Sequence, residues 1–512
     1  MKKDFREKLL AKEKFIVTWE LIPGRGAWES SQEKVLEQAE KAAKGNIVDA
    51  ISLTDNPGGS VAIRPDIIGQ EIAKFGIETI IHLTCKDKNR NQLESTLYAL
   101  ERAKLNNVLV LTGDYDLETK SGLPKPVFDL DSTQLLQMIQ ELNQGIVVKK
   151  AKGESRFKPC NFCAGAAVSP FKATEAELIM QYSKLKKKIE NGAAFIITQV
   201  GYDIRKFHEL FLYTRQMGWD IPLIGNLYAV NFPTGRVMNN NRVPGCVVTD
   251  KLLAELEQER QNPDKGKQAM LDRTAKLYAL LKGIGYRGVH LGGYNIEYEQ
   301  IEYIVGKGEE LSANWQDYIR EFDFPQTNGF YFFEKDEATG LNTENTAAAE
   351  PSCQVDRPTT YKLSRVFHKL FFIPEKNLYG LMKKVATAID GKKLEKPFHG
   401  LEHASKSLLY NCQDCGDCAL TDIAYVCPMG DCPKNQRNGP CAGSYLGWCE
   451  VNPDKQCIWF RAYHRLKKYG EQAELNSYQV SPYNWKLQHT SSWLNFYLGR
   501  DHSASHLDSD RG

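Results

Sequence analysis

Eight of the chain's 13 cysteines crowd between Cys412 and Cys457, in the run NCQDCGDC…CPMGDCP…GPCAGSYLGWC…QC. Deprotonated thiols are soft anionic ligands, and two-residue spacing through a tight turn brings successive sulfurs within reach of one ion or cluster. Cys412, Cys415 and Cys418 have that spacing, and Cys427, followed by Pro428, closes a set like a ferredoxin-type run with a longer last gap. These four are expected to hold a [4Fe–4S] cluster. Cys432, Cys441, Cys449 and Cys457 stand on longer loops and suit a second cluster or a closed tetrahedral zinc site.

A second set of chemically able side chains is scattered through the first 300 residues. Glu20 (in TWELIPG), Thr54 with Asp55, His82, Asp114, Gln199, Asn226 and Asn295 each sit at or just beyond an apolar run. A lone carboxylate inside an apolar strand is paired, protonated or catalytic, and burial is expected to raise the pKa of Glu20 toward a useful range. Asp114 follows LTG and can bind a ligand or cap a turn. His82 can be a ligand contact or a satisfied core group, and Gln199 offers both donor and acceptor to the polar edge of a heterocycle.

The elements that must gather these residues are legible as an alternation of apolar run, polar turn and amphipathic helix. The runs are FIVTWEL from Phe15, IVDAISL from Ile47, TIIHLT from Thr79, NVLVLTG from Asn107, FCAGAAV from Phe162, AAFIITQ from Ala193, IPLIGNL from Ile221 and RGVHLGG from Arg287. Eight such units predict an α/β fold, a closed parallel (β/α)8 TIM barrel, whose strand ends form a single rim. A doubly wound open sheet is the alternative. No Gly-x-Gly-x-x-Gly follows the first strand, which weakens its dinucleotide-binding version.

The barrel is expected over residues 1–315, a connecting segment and linker over 316–355, a smaller cysteine-rich and mainly helical metal-binding domain over 356–500, and a disordered tail over 501–512. The linker reading rests on EATGLNTENTAAAEPS, which is small, polar and without periodicity. Cys160 and Cys163 form a C-x-x-C pair that leads into a barrel strand, so packing is expected of them rather than metal binding.

Composition sets further bounds. A formal net charge of +2 with dispersed basic residues gives no case for nucleic acid. The N-terminus MKKDFREKLL has no apolar signal region, and no apolar stretch approaches the ~18 residues of a membrane span. A cytoplasmic protein without membrane insertion is expected, in a compartment that disfavours disulfides. An oligomer is also expected.

TWELIP around Glu20, ISLTDN around Thr54, HLTC at His82, VLTGD at Asp114, GAAVSPF from Gly165 and LKKKIENGAAFIITQ ending at Gln199 together resemble methylenetetrahydrofolate reductase, over about 300 residues and in the right order. The run YNCQDCGDCALTDIAYVCPMGDCPKNQRNGPCAGSYLGWCEV resembles the cysteine-rich C-terminal domain fused to, or partnering, such reductases in some bacteria. The resemblance implies flavin-dependent reduction of 5,10-methylenetetrahydrofolate to 5-methyltetrahydrofolate in one-carbon metabolism. Glu20 is then the acid that protonates the folate, and Asp114 a catalytic group near flavin and folate. Thr54, His82, Thr112, Gly113, Asp114 and Lys188 become cofactor contacts, and Glu20, Asp114 and Gln199 substrate contacts.

Some positions depart from the family's pattern. Thr112-Gly113-Asp114 stands where many relatives have Arg-Gly-Asp, and Val168-Ser169-Pro170-Phe171-Lys172 replaces a Tyr-Pro-x-x-His type loop. FAD is the implied cofactor, with FMN conceivable. Lys184 and Lys188, one helical turn apart, could serve a flavin phosphate or form a solvated basic face. The family's simple members take hydride from NADH or NADPH. The cysteine-rich domain offers another route, from a ferredoxin-like or larger electron-donor protein. A folate-dependent methyltransferase or corrinoid partner, and a catalytically silent accessory subunit, are the alternatives.

Overall fold

The computed structural model describes the chain except for residues 1–3, 12–13, 117–121, 151–152, 352, 354–357, 375–376 and 505–512. Eight parallel strands close a ring: β1 (Ile16–Leu21), β2 (Ala50–Leu53), β3 (Glu78–Thr84), β4 (Asn107–Leu111), β7 (Cys163–Val168), β8 (Phe195–Thr198), β9 (Leu223–Ala229) and β10 (Gly288–Gly293). β5 (Val147–Lys150) and β6 (Gly153–Arg156) form a small antiparallel hairpin that interrupts the alternation before β7. Around the ring run α2 (Ser30–Gly45), α3 (Pro65–Ala73), α4 (Arg90–Arg102), α5 (Ser132–Gln144), α6 (Glu175–Glu190), α7 (Ile204–Gln216), α8 (Phe232–Asn239), α9 (Asp250–Glu259), α10 (Lys267–Ile284) and α11 (Tyr298–Leu311). All eight apolar runs became barrel strands. β10 pairs back to β1, with Thr18 opposite His290.

Side-chain alternation along the strands divides each run between two environments. Val17, Trp19, Ile51, Leu53, Ile81, Leu83, Val108 and Val110 join the larger core beneath the helices. Their neighbours Ile16, Ala50, Ile80, Leu109, Cys163, Phe195 and Ile224 fill the barrel interior, plugged from below by Phe5 and Leu9 of α1 (Phe5–Leu10). Cys163 is therefore a packing residue, and Cys160 packs at the edge of the larger core. Two residues further along the strands, the inward positions turn polar: Thr18, Ser52, His82 and His290, all buried.

Part of the stretch expected to be a plain linker is structured. β11 (Phe333–Lys335) and β12 (Asn342–Thr346) pair antiparallel, and Asn342 locks them onto α7 by donating to the Arg205 carbonyl at 2.7 Å and accepting from Arg205 Nε at 3.1 Å. The polar composition between them is turn chemistry, with Asp336 accepting from the Ala338 and Thr339 amides. Of the expected disordered tail, residues 505–512 lie outside the described residues, while His502 is buried, with Nδ1 2.6 Å from Asp417 and Nε2 3.1 Å from Asp422.

Beyond the hairpin come α12 (Pro358–Phe371), α13 (Asn377–Ile389), α14 (Glu395–Tyr410), the four-residue α15 (Pro428–Asp431), α16 (Ile458–Lys467) and α17 (Ser492–Tyr497). α16 lies on α6 of the barrel. Ala176 and Met180 share a buried cluster with Ile423, Ile458, Trp459, Ala462, Tyr463 and Leu466. Lys467 pairs with Glu175 at 2.6 Å, and the Tyr463 hydroxyl donates to the same carboxylate at 2.5 Å. The cysteine-rich region is thus built onto the barrel through a shared core. No helix among the described residues is long and apolar enough to cross a membrane.

Candidate active site and thiol centre

At the foot of the barrel mouth, Glu20 Oε2 stands 3.5 Å from His290 Nε2. His290 Nδ1 is 2.8 Å from Thr18 Oγ1, whose hydroxyl donates to the Val289 carbonyl at 3.3 Å, so Nδ1 serves as donor and Nε2 faces the carboxylate. His82 Nε2 is 2.8 Å from Ser52 Oγ. Ligand atoms of Glu20, His82 and His290 all lie within 4.8 Å of one another, the one such trio of histidine, cysteine, aspartate or glutamate groups among the described residues. Burial pushes the Glu20 carboxyl up, but the hydrogen bond and charge of His290, with His82 adding to them, outweigh it and hold the carboxyl below its ordinary range. The expected upward shift is therefore corrected. Burial also lowers the His82 pKa to about 4, so that ring is neutral near pH 7.

The other rim residues divide into tied and open groups. Asp55 accepts from the Thr84 amide at 3.0 Å, the Thr84 hydroxyl at 2.8 Å and Lys88 at 2.7 Å, a clamp between neighbouring strands. Exposed Asp114 accepts from the Gly58 amide at 2.8 Å, and Gly113 before it turns with φ +93°. Gln199 Oε1 accepts from the Val200 amide at 2.9 Å, so its amide nitrogen holds the hydrogens it can offer. Thr198 Oγ1 accepts from the Asn226 amide at 2.9 Å, and Asn295 lies in an exposed left-handed turn past β10. Thr54 Oγ1 and Ser169 Oγ are buried without a hydrogen-bond partner among the described residues. Buried orphan hydroxyls at a mouth fit a missing polar ligand.

His290 and Tyr228 went unremarked in the sequence. A side chain added at Gly292 would meet both the Tyr228 ring and Glu20, so the aromatic face and the carboxylate flank one spot. The signal was present: in RGVHLGG the inward positions are Gly288, His290 and Gly292, a lone imidazole between two residues without side chains.

The outer rim is covered by a strap, residues 434–444, from the cysteine-rich region. Lys172 donates to the carbonyls of Ala442 at 2.6 Å and Ser444 at 2.5 Å. Lys184 donates to Gln436 Oε1 at 2.7 Å and the Gly439 carbonyl at 3.1 Å, and the Thr112 hydroxyl reaches the same Gln436 oxygen at 3.4 Å. Asn438 donates to Asp131 at 2.9 Å. Lys184 is thus a buried interdomain contact rather than a solvated basic face. Lys188 donates to the Ala167 carbonyl at 2.5 Å, and burial, with Lys184 next to it, lowers its pKa to about 7.

Cys412, Cys415, Cys418 and Cys427 face one small cavity, which Tyr410, Asp417 and Arg437 also line. Buried Lys406 donates to Cys418 Sγ at 3.5 Å and pairs with Glu402 at 2.9 Å. That supplies positive charge beside a site that would be anionic when loaded. Burial pushes the Cys415 thiol up to about 12, so metal loading must displace protons. Cys432, Cys441, Cys449 and Cys457 are close electrostatic neighbours in a second group, where Cys441 Sγ donates to Glu450 at 3.2 Å. None of the 13 cysteines is in a disulfide.

A family model described as methylenetetrahydrofolate reductase matches residues 5–306, which is the whole barrel. The chain belongs to the methylenetetrahydrofolate reductase family. A second family model, methylene-tetrahydrofolate reductase C terminal, matches residues 392–486 and so covers both cysteine groups and the strap. Methylenetetrahydrofolate reductase 1 of Schizosaccharomyces pombe is 24% identical over 283 residues, 52% of this chain and 41% of that one. Methylenetetrahydrofolate reductase 2 of Saccharomyces cerevisiae is 23% identical over 205 residues, 39% of this chain and 31% of that one. The 5,10-methylenetetrahydrofolate reductase of Pectobacterium carotovorum is 24% identical over 237 residues, 45% of this chain and 70% of that one. The chain thus spans less than half the length of the two fungal reductases.

Proposed function

We propose that the protein reduces 5,10-methylenetetrahydrofolate to 5-methyltetrahydrofolate at the barrel mouth. The observation that carries this reading is the Glu20–His290 pair, a carboxylate and an imidazole sharing a proton position at the carboxyl ends of β1 and β10. Opening the methylene bridge requires protonation of the departing nitrogen, because an unprotonated amine would have to leave as a high-energy nitrogen anion. Held below its ordinary range and so ionised at rest, Glu20 relays to that nitrogen a proton passed from His290. His290 Nε2 resupplies it, while Thr18 holds Nδ1 in its donor state. Gln199 and Asp114 orient the pterin by hydrogen bonds, and the Tyr228 ring offers an apolar face beside Glu20.

A flavin fits the mouth on three counts: the orphan hydroxyls of Thr54 and Ser169, the neutral His82, and Lys188 beneath the rim. Bound there in reduced form, it supplies the hydride that completes the methyl group. The expected holders are Thr54, His82, Thr112, Gly113, Asp114 and Lys188.

Iron–sulfur loading is favoured for the first thiol group. Cys412, Cys415 and Cys418 at two-residue spacing, with Cys427-Pro428, are like a ferredoxin-type run with a longer last gap, and the four line one cavity. We place the electron entry there, with a reduced ferredoxin-like protein as donor. Anaerobic purification of the full chain, with flavin spectrum, iron and acid-labile sulfide analysis and methylenetetrahydrofolate turnover, tests the reading. Flavin, iron and sulfide with methyl-product formation are expected. A colourless protein that turns over no folate would overturn the function, and flavin reduction as fast with NADH as with reduced ferredoxin would overturn the donor.

A further inference from the structure

Lys434 belongs to the cysteine-rich region by sequence and to the barrel mouth by position. Its ammonium donates to the Gly113 carbonyl at 2.9 Å and pairs with Glu450 at 2.7 Å, and its side chain is 4% exposed. The Gly113 position admits no substituent without crowding Thr84 and Lys86, which fixes the turn that presents this carbonyl. Asp114, the next residue, is exposed at the mouth. Removing an ammonium from water costs several kcal/mol, and a cation is kept in such a place where local negative charge offsets that cost. Glu450 supplies one counter-charge. The third hydrogen of the ammonium has no acceptor among the hydrogen bonds of the described residues, and the loop it touches, Thr112-Gly113-Asp114, carries a hydroxyl and an anion but no cation of its own.

We propose that Lys434 is a cofactor-site residue lent to the barrel by the cysteine-rich region, the cation that faces the anionic oxygen-bearing edge of a reduced flavin at the Thr112–Asp114 loop. This rests on the flavin reading given above. It makes the mouth a composite of both regions and gives Thr112 a neighbour that supplies the positive charge its own side chain lacks. Glu450 then sets how much of that charge the flavin feels, and through Cys441 it links the rim to the second thiol group. A positive charge there favours the reduced, anionic ring over the oxidised, neutral one.

The test is a redox titration of the flavin bound to the full-length holoprotein, read by absorbance against dyes of known potential. Lys434→Met is expected to shift the oxidised-to-reduced equilibrium toward oxidised by about tenfold, roughly 30 mV for a two-electron couple. Lys434→Arg should restore most of it. Glu450→Gln leaves the cation unopposed and should move the potential in the opposite direction, which keeps the proposal falsifiable if Lys434→Met does not fold. A wild-type protein that binds no flavin would overturn the functional reading along with this one. Bound flavin whose potential is the same in wild type, Lys434→Met and Glu450→Gln would overturn the role of Lys434 alone.

Discussion

In the barrel, His82 and His290 stand on strands hydrogen-bonded on both sides, whereas between Asn411 and Cys457 the only helix is the four-residue α15. Within that second stretch Asn411, Asp414, Ala424, Tyr425, Asn435, Ala442 and Leu446 all hold positive φ, and no barrel strand has such a residue. For residues such as Ala424, Tyr425, Ala442 and Leu446 each left-handed conformation costs roughly 1–2 kcal/mol. The barrel can position its groups by burial and backbone pairing alone. The thiol region holds several strained residues with little regular structure, and on the loading proposed above metal–thiolate bonding would be the term that offsets them. A preformed mouth and a ligand-dependent cover should therefore fail in different ways.

Glu20→Gln breaks the chemistry of the first region without touching its architecture. Turnover is expected to fall by about 10²–10⁴-fold, with the flavin spectrum and melting temperature unchanged, in a steady-state assay beside a thermal melt. An unchanged kcat would remove the acid role. Stripping the metals with a chelator under reducing conditions attacks the second region. Limited proteolysis should then cut within residues 411–457 while the barrel keeps its far-UV circular dichroism. Because the strap supplies the acceptors for Lys172 and Lys184, flavin affinity should drop in the same preparation. Resistance of the stripped protein to protease would show that the thiol region folds on its core alone.

The difference between the regions also governs what the sequence disclosed. Each barrel strand is a local event, an apolar run of period two between turn residues, so eight strands and the places of Glu20, Thr54, His82 and Gln199 followed from pattern. His290 was legible by the same rule. The pKa of Glu20 was not, because its direction depends on His290, 270 residues away in the chain, winning over burial. The strap is invisible to periodicity: Lys184 reads as one of many lysines on a helix until Gln436 and Gly439 are folded onto it. The segment reads as a linker because turn-forming Asp336, Thr339 and Gly340 have the composition of a flexible segment while serving a two-strand hairpin.

A subtler comparison concerns Lys188, which belongs to the barrel but lies under the rim. Its depressed pKa of about 7 means that the free protein carries this lysine half-neutral near pH 7. If it meets the flavin phosphate, binding raises that pKa and takes up a proton. Affinity should be highest below about pH 7 and fall by up to about tenfold per pH unit above it, until the pKa of the bound form is reached. Isothermal titration in two buffers of different ionisation enthalpy reads the proton uptake directly. Lys188→Met should flatten the profile, and a wild-type affinity that is level from pH 6 to pH 8.5 would take Lys188 out of the phosphate site.

The smallest expected effect is at the hairpin that leads out of the barrel. The His208 ring accepts from the Asn342 amide at 3.2 Å, and burial, with Arg205 nearby, lowers its pKa to about 4. A folded pKa below the unfolded value of about 6.5 means that the unfolded or undocked state binds the proton more tightly. The contribution of this contact is therefore complete above about pH 6.5 and is lost as the pH falls toward 4. The ring is only partly shielded, so the loss is on the order of 1 kcal/mol. Protection of the amides at residues 333–346, taken against the intrinsic exchange rate at each pH, should fall between pH 7 and pH 5, while the amides of β1 and β10 keep theirs. His208→Phe, which removes the ring acceptor of the Asn342 backbone amide, should abolish the difference; equal behaviour of hairpin and barrel strands across that range would mean that the hairpin is as firmly part of the barrel as its own strands.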